Sequence, residues 1–190
     1  MAGVVSLLDE ASERTTRALW AELDERYGLR EVVQRVPHPH CSYHVAVDYD
    51  LARLAATLRR MAAQWRPFAT TITGLGAFEA PEPVLYLAVE RNAALDALHA
   101  ALWRELGQTD IARQPMAVYA PATWIPHITL AQGDLTLDGL RAIQAAWGGR
   151  DLRRKLWVSG LTLLYPTADK TPSEPLMRFS LGGADDDTTR

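Results

Sequence analysis

Two short segments far apart in the chain share one pattern, and any fold for this chain has to accommodate both. Pro39-His40-Cys41-Ser42-Tyr43 and Pro126-His127-Ile128-Thr129-Leu130 each read proline, histidine, any residue, hydroxyl, hydrophobic. Both have the composition of strands, in which successive side chains point to opposite faces. His40 and Ser42 then share one side of their strand, as do His127 and Thr129 of theirs. If the two strands lie next to each other, two imidazoles and two hydroxyls converge on a space the size of a phosphate.

The rest of the chain supplies strands and helices in alternation. Gly3 to Leu8 reads as a buried strand. Asp9 is placed to cap a helix running to Tyr27, with Leu19, Leu23 and Tyr27 on one face and Gly28 as its stop. Val32 to Val36 is expected to be a strand leading into Pro37-His38-Pro39-His40, and His40 to Val47 another. Asp50, Asn92 and Thr136 are helix caps. Behind them lie apolar stripes: Leu51 to Trp65, Leu95 to Leu106, and Leu140, Ile143 and Trp147. Strands are expected at Phe68 to Phe78, with Gly74 and Gly76 marking a bend or bulge, and at Val84 to Val89, His127 to Gln132, Leu156 to Tyr165 and Pro175 to Leu181. Gln108 to Thr123 has no clean period and reads as a loop.

No Gly-rich phosphate loop accompanies this order, so a dinucleotide-binding fold is excluded. The expectation is an α+β protein with antiparallel sheet in two similar lobes. Residues 1–182 would form a single bilobal domain, and 183–190 an acidic disordered tail.

At 190 residues, with 48% hydrophobic and 23% charged residues, the chain can bury a core without staples. One cysteine, Cys41, excludes an internal disulfide and any Cys-rich zinc module. The N-terminus lacks the pattern of a signal peptide and no stretch approaches a membrane span, so a cytoplasmic monomer with no membrane partner is expected. A net charge of −3 gives no overall field for long nucleic acid. Arg59-Arg60, Arg66 and Arg153-Arg154-Lys155 are local basic clusters. They suit solvated faces, or a nucleic acid held by its end or as a short piece.

The paired motifs resemble those of the two-histidine (2H) phosphoesterase superfamily, and within it the 2′-5′ RNA ligase-like branch. That group carries one His-x-Thr/Ser-hydrophobic motif in each lobe of a bilobal α+β fold. His127-Ile128-Thr129-Leu130 matches fully, and His40-Cys41-Ser42-Tyr43 matches with serine as the hydroxyl. The resemblance implies two antiparallel-sheet lobes with outer helices and a central cleft. It also implies phosphodiesterase action, with no cofactor, on a nucleotide or RNA terminus bearing a 2′,3′-cyclic phosphate or a 2′-5′ linkage.

The residues themselves permit that chemistry. Opening a cyclic phosphate needs a base for water and an acid for the departing ribose oxygen, and imidazole serves both because its pKa lies near working pH. His40 and His127 are the candidate catalytic pair. Ser42 and Thr129 are the candidate donors to the non-bridging oxygens, and no metal is required. Tyr119 and Trp124, beside the second motif, are candidates for stacking on a base, with core or loop anchoring the favoured reading. His44 is expected in phase with His40 and Ser42 as a neighbour on the same face, Tyr43 on the opposite face, and His99 in a structural role. The main rival is a metal site: His38, His40 and His44 alternate along one strand, as in a metallohydrolase or a cupin. A nucleotide-binding module without turnover is the third possibility.

Overall fold

The four capping side chains expected from sequence all take up a free amide at the start of a helix. Asp9 accepts from the Ser12 amide, Asp50 from Arg53, Asn92 from Leu95 and Thr136 from Gly139. The computed structural model describes residues 1–107, 110–167 and 172–183. In chain order its elements are β1 (Ala2–Leu7), α1 (Glu10–Tyr27), α2 (Glu31–Arg35), β2 (His40–Tyr49), α3 (Leu51–Gln64), β3 (Phe68–Phe78) and β4 (Val84–Val89). There follow α4 (Ala93–Gly107), β5 (Ala112–Pro115), a 3₁₀ turn (Ala117–Tyr119), β6 (His127–Gln132), α5 (Leu137–Trp147), β7 (Arg154–Val158), β8 (Gly160–Pro166) and β9 (Ser173–Ser180). The acidic tail expected at 183–190 lies, from residue 184 onward, outside the described residues.

All strand pairs are antiparallel, in two sheets ordered β5-β2-β1-β8-β9 and β6-β4-β3-β7. The α+β class with two antiparallel sheets is therefore the one expected. Leu23, Leu54, Leu58, Leu98, Leu102, Leu140 and Ile143, from four helices, are fully buried in one continuous core with Val4, Tyr43, Leu85, Leu87 and Ile128 of the sheets.

Three expectations change. Val32 to Arg35 is helical rather than extended, with Val36 its extended C-cap: the Arg30 and Glu31 amides both donate to Asp134, at 2.7 and 2.8 Å, which starts α2 from a distant part of the chain. Ala112–Pro115, expected in a loop, is a short edge strand placed by pairing with β2, Asp48 opposite Arg113. The expected strand Leu156 to Tyr165 is two strands in different sheets, divided at Ser159. Gly160 opens the second of them, where an added Cβ would lie 3.0 Å from the Phe179 carbonyl oxygen.

The motif strands β2 and β6 are built alike. Val5 pairs with Ser42 and Val4 with His44, so Tyr43 is an extra residue in β2. Tyr86 pairs with Thr129 and Leu85 with Ala131, so Leu130 is an extra residue in β6. Each motif thus ends in a β-bulge at its hydrophobic fourth residue, which shifts the alternation of everything that follows.

Tryptophan indoles satisfy the carbonyls around these positions. Trp124 donates to the Ser42 carbonyl at 2.9 Å, Trp20 of α1 to the Thr129 carbonyl at 3.2 Å, and Trp103 of α4 to the Tyr43 carbonyl at 2.9 Å. Trp124→Phe keeps an aromatic ring but leaves the Ser42 carbonyl without this donor. Chemical denaturation should show a loss of about 1–3 kcal/mol.

Candidate active site

The pleat and the two bulges decide what each motif presents. In β2, Cys41 and Tyr43 are buried in the core while His40 and Ser42 on the other face are partly exposed. In β6, Ile128 and Leu130 are buried while His127 and Thr129 are partly exposed. The strands come together at the motifs: the Cys41 thiol bonds the His127 backbone, and the charge of His127 acts on His40. Burial pushes that thiol up to about 12, so Cys41 is an inert packing group rather than a nucleophile.

Both imidazoles are held in the same way. His40 Nδ1 lies 2.7 Å from the His38 carbonyl oxygen, and His127 Nδ1 lies 2.7 Å from the Ile125 carbonyl oxygen. A carbonyl only accepts, so each Nδ1 carries a proton and each neutral ring leaves Nε2 with its lone pair. The loops that supply these carbonyls are themselves tied down. His38 pairs with Glu174 at 2.7 Å on β9, and Arg91 donates to the Trp124 carbonyl at 3.1 Å.

Desolvation depresses both rings. It lowers His40 to about 4 even though its edge reaches solvent, helped by the nearby charges of His127 and His38 and opposed by the His38 carbonyl. His127 is lowered by the same cause and partly restored by the Ile125 carbonyl. The hydroxyls differ: Ser42 is hydrogen-bonded to the Tyr119 phenol, whereas Thr129 makes no protein hydrogen bond through its hydroxyl among the described residues.

The other expected site residues part company here. Tyr119 belongs with Ser42. Trp124 does not offer a face to a ligand: its indole is 2% exposed and stacks on His99 at 3.8 Å. His44 is not on the face of His40, because the bulge at Tyr43 turns it into the core. There it is 1% exposed, lies against Trp103 at 4.6 Å and donates from Nδ1 to the Tyr49 hydroxyl, which in turn donates to the His44 carbonyl. The rival metal site fails on the same geometry. His38, His40 and His44 diverge to Glu174, to a backbone carbonyl and into the core, and no metal-binding group of three or more ligand residues occurs among the described residues. Tyr43 is fully buried and His99 structural, as expected, with His99 Nε2 donating to the Tyr43 and Tyr119 carbonyls.

Residues 8–170 match the 2′-5′ RNA ligase superfamily. The chain belongs to this superfamily. A Geobacillus kaustophilus protein named “putative phosphoesterase” is 31% identical over 97 residues, a span of about half of either chain. Among solved structures, TT0787 of Thermus thermophilus shares the fold with a TM-score of 0.60, at 20% identity over 97% of this chain and 99% of that one. Escherichia coli LigT complexed with NADP+ gives 0.58, at 16% identity over 95% and 96%. LigT complexed with 3′-AMP gives 0.56, at 14% identity over the same shares. No helix among the described residues of this superfamily member is long and apolar enough to cross a membrane.

Sequence reading of this 2′-5′ RNA ligase superfamily chain missed the aromatic wall beside His127. Tyr86 lies 5.1 Å and Phe78 5.4 Å from that ring, centroid to centroid. Gly76 lies beneath Tyr86, where an added Cβ would come within 2.3 Å of the phenol ring. A glycine inside a strand pattern signals such a close approach, but not which ring makes it.

The depressed histidines make stability depend on pH. His40, His44 and His99 each titrate at about 4 in the folded chain and near 6.5 when unfolded. Between those values the unfolded chain binds more protons, so stability falls as pH drops through that window. Thermal melting should show a lower Tm at pH 5 than at pH 7. A Tm unchanged across the window contradicts the assignment.

Proposed function

We propose that this chain is a metal-independent phosphodiesterase acting on 2′,3′-cyclic or 2′-5′-linked nucleotide or RNA ends. The observation that carries the reading is the matched pair of imidazoles, each with Nδ1 bound to the carbonyl two residues earlier and Nε2 left for chemistry. A phosphodiester is opened when water attacks phosphorus and a ribose oxygen departs in line with it. One Nε2 accepts the proton of the water and the other Nε2–H gives a proton to the departing oxygen. The Ser42 and Thr129 hydroxyls donate to the non-bridging oxygens as charge builds there.

The two histidines are suited to different roles. His40, lowered to about 4, is neutral at working pH and serves as the base. His127 serves as the acid, its proton stabilised once an anionic phosphate is bound. Tyr119 holds the Ser42 hydroxyl in place and is the substrate-side aromatic of the first motif. The Escherichia coli LigT structures with NADP+ and 3′-AMP fit a nucleotide ligand for this fold.

His40→Ala and His127→Ala should each lower 2′,3′-cyclic phosphate hydrolysis by at least about 10²-fold while leaving the fold intact by circular dichroism. Wild-type activity should survive EDTA. Nucleotide binding without turnover in the wild type would replace the enzyme reading with that of a binding module.

The pH profile follows from the sign of the shifts. His127 in the free protein lies below the ordinary histidine value of 6.5, so kcat/KM should already be falling as pH rises through neutrality. A kcat/KM still rising above pH 7 rules out His127 as the acid.

A further inference from the structure

The open face of the four-stranded sheet does not stop at the second motif. Strand pairing carries it from His127 and Thr129 on β6 to Ala88 and Tyr86 on β4, and on to Gly74 and Gly76 on β3. A register shift at Thr73 changes the phase, so the same face continues through Thr71 and Ala69. Their partners on β7 are Lys155 and Trp157.

Exposure follows that path. Ala88, Gly74, Thr71 and Ala69 are all partly exposed, whereas Thr70, Ile72, Leu156 and Val158 on the opposite face are buried. A Cβ added at Gly74 would meet nothing within 4 Å. Small residues thus leave an uncovered strip of sheet between His127 and β7.

The strip ends in an unusual pair for an edge strand. Trp157 is 44% exposed, and Lys155 Nζ lies 4.2 Å from the centroid of its ring. Edge strands ordinarily carry charge for protection, and a large exposed indole adds nothing to that. Neither the Lys155 ammonium nor the Arg153 guanidinium has a carboxylate partner among the described residues, although the Arg153 amide donates to Asp151 at 3.0 Å. Asp9 is close by, but its carboxylate accepts the Trp157 amide at 3.0 Å and is otherwise bound to Ser12 at the start of α1.

An indole face for a base beside a cation for a phosphate is the composition of a site for single-stranded nucleic acid. We propose that Lys155 and Trp157 form a second binding site, for nucleotides that adjoin the reacting terminus. Its substrate is then a short single-stranded oligonucleotide lying across the sheet. This rests on the phosphodiesterase reading above. Three strand spacings, roughly 14 Å, separate β6 from β7, more than a mononucleotide bound at His127 spans.

The test compares a 2′,3′-cyclic mononucleotide with a single-stranded oligoribonucleotide ending in the same group. Wild type should favour the oligonucleotide. Trp157→Ala should lose roughly tenfold in kcat/KM on it and leave the mononucleotide rate unchanged, while Trp157→Phe retains most of the preference. Lys155→Ala should make oligonucleotide binding less sensitive to salt. Equal effects on both substrates, or none on either, overturn the site.

If neither substrate is hydrolysed, the phosphodiesterase reading fails. The site is then judged by fluorescence anisotropy of a labelled oligonucleotide ending in a plain hydroxyl. Binding that weakens roughly tenfold in Trp157→Ala upholds it, and no binding to wild type removes it. Sedimentation supplies one more outcome: a wild-type dimer that Trp157→Ala dissociates would make this face a contact between copies and end the proposal.

Discussion

The site depends on one backbone irregularity that occurs twice. An extra residue after Ser42 and another after Thr129 interrupt the two strand ladders just past the histidine and hydroxyl of each motif. Around them, polar backbone has to be satisfied inside a hydrophobic interior, where an unpaired carbonyl is costly. Indole N–H groups meet that need, since each has one donor and a large apolar body that packs at the same time. Trp20, Trp103 and Trp124 are spent in this way, and the helices that carry the first two are thereby fixed against the motif strands.

The same irregularity separates a partly exposed histidine from a buried one on β2. Without the bulge at Tyr43, strict alternation would put His44 beside His40 and offer a cluster of imidazoles to a metal. With it, His44 becomes a core residue bonded to Tyr49, while His40 stays at the surface of the sheet. The two motif histidines share desolvation and an anchor through Nδ1, and differ in that the charges of His127 and His38 also act on His40. Packing rather than residue type thus sets how strongly each imidazole is depressed, and the acid and base roles proposed for the pair rest on that.

Much of the fold could be read from local signals. Asp9, Asp50, Asn92 and Thr136 sit where their helices begin because a short polar side chain competes well for an unpaired amide next to an apolar stripe. The motifs stood out because a hydroxyl two residues after histidine must share its face in a strand. The errors occurred where a distant contact overrode a local preference. Val32 and Val33 favour a strand, yet Asp134 caps their segment into a helix. The run through Trp157 to Leu161 is continuously strand-like, but it crosses from one sheet to the other at Ser159. Ala112 to Pro115 has little strand propensity of its own and is extended only because β2 offers it an edge.

Residue types and their spacing determined the α+β class, the starts of the four longer helices, and the pairing of His40 with Ser42 and of His127 with Thr129, because caps and face alternation act over a few residues. Only the tertiary structure decided that His44 and Trp124 turn into the core, that Tyr119 meets Ser42, and that Phe78 and Tyr86 wall His127. Those outcomes depend on strand register and on bulges, which are set by packing between segments far apart in the chain and leave no trace in local composition.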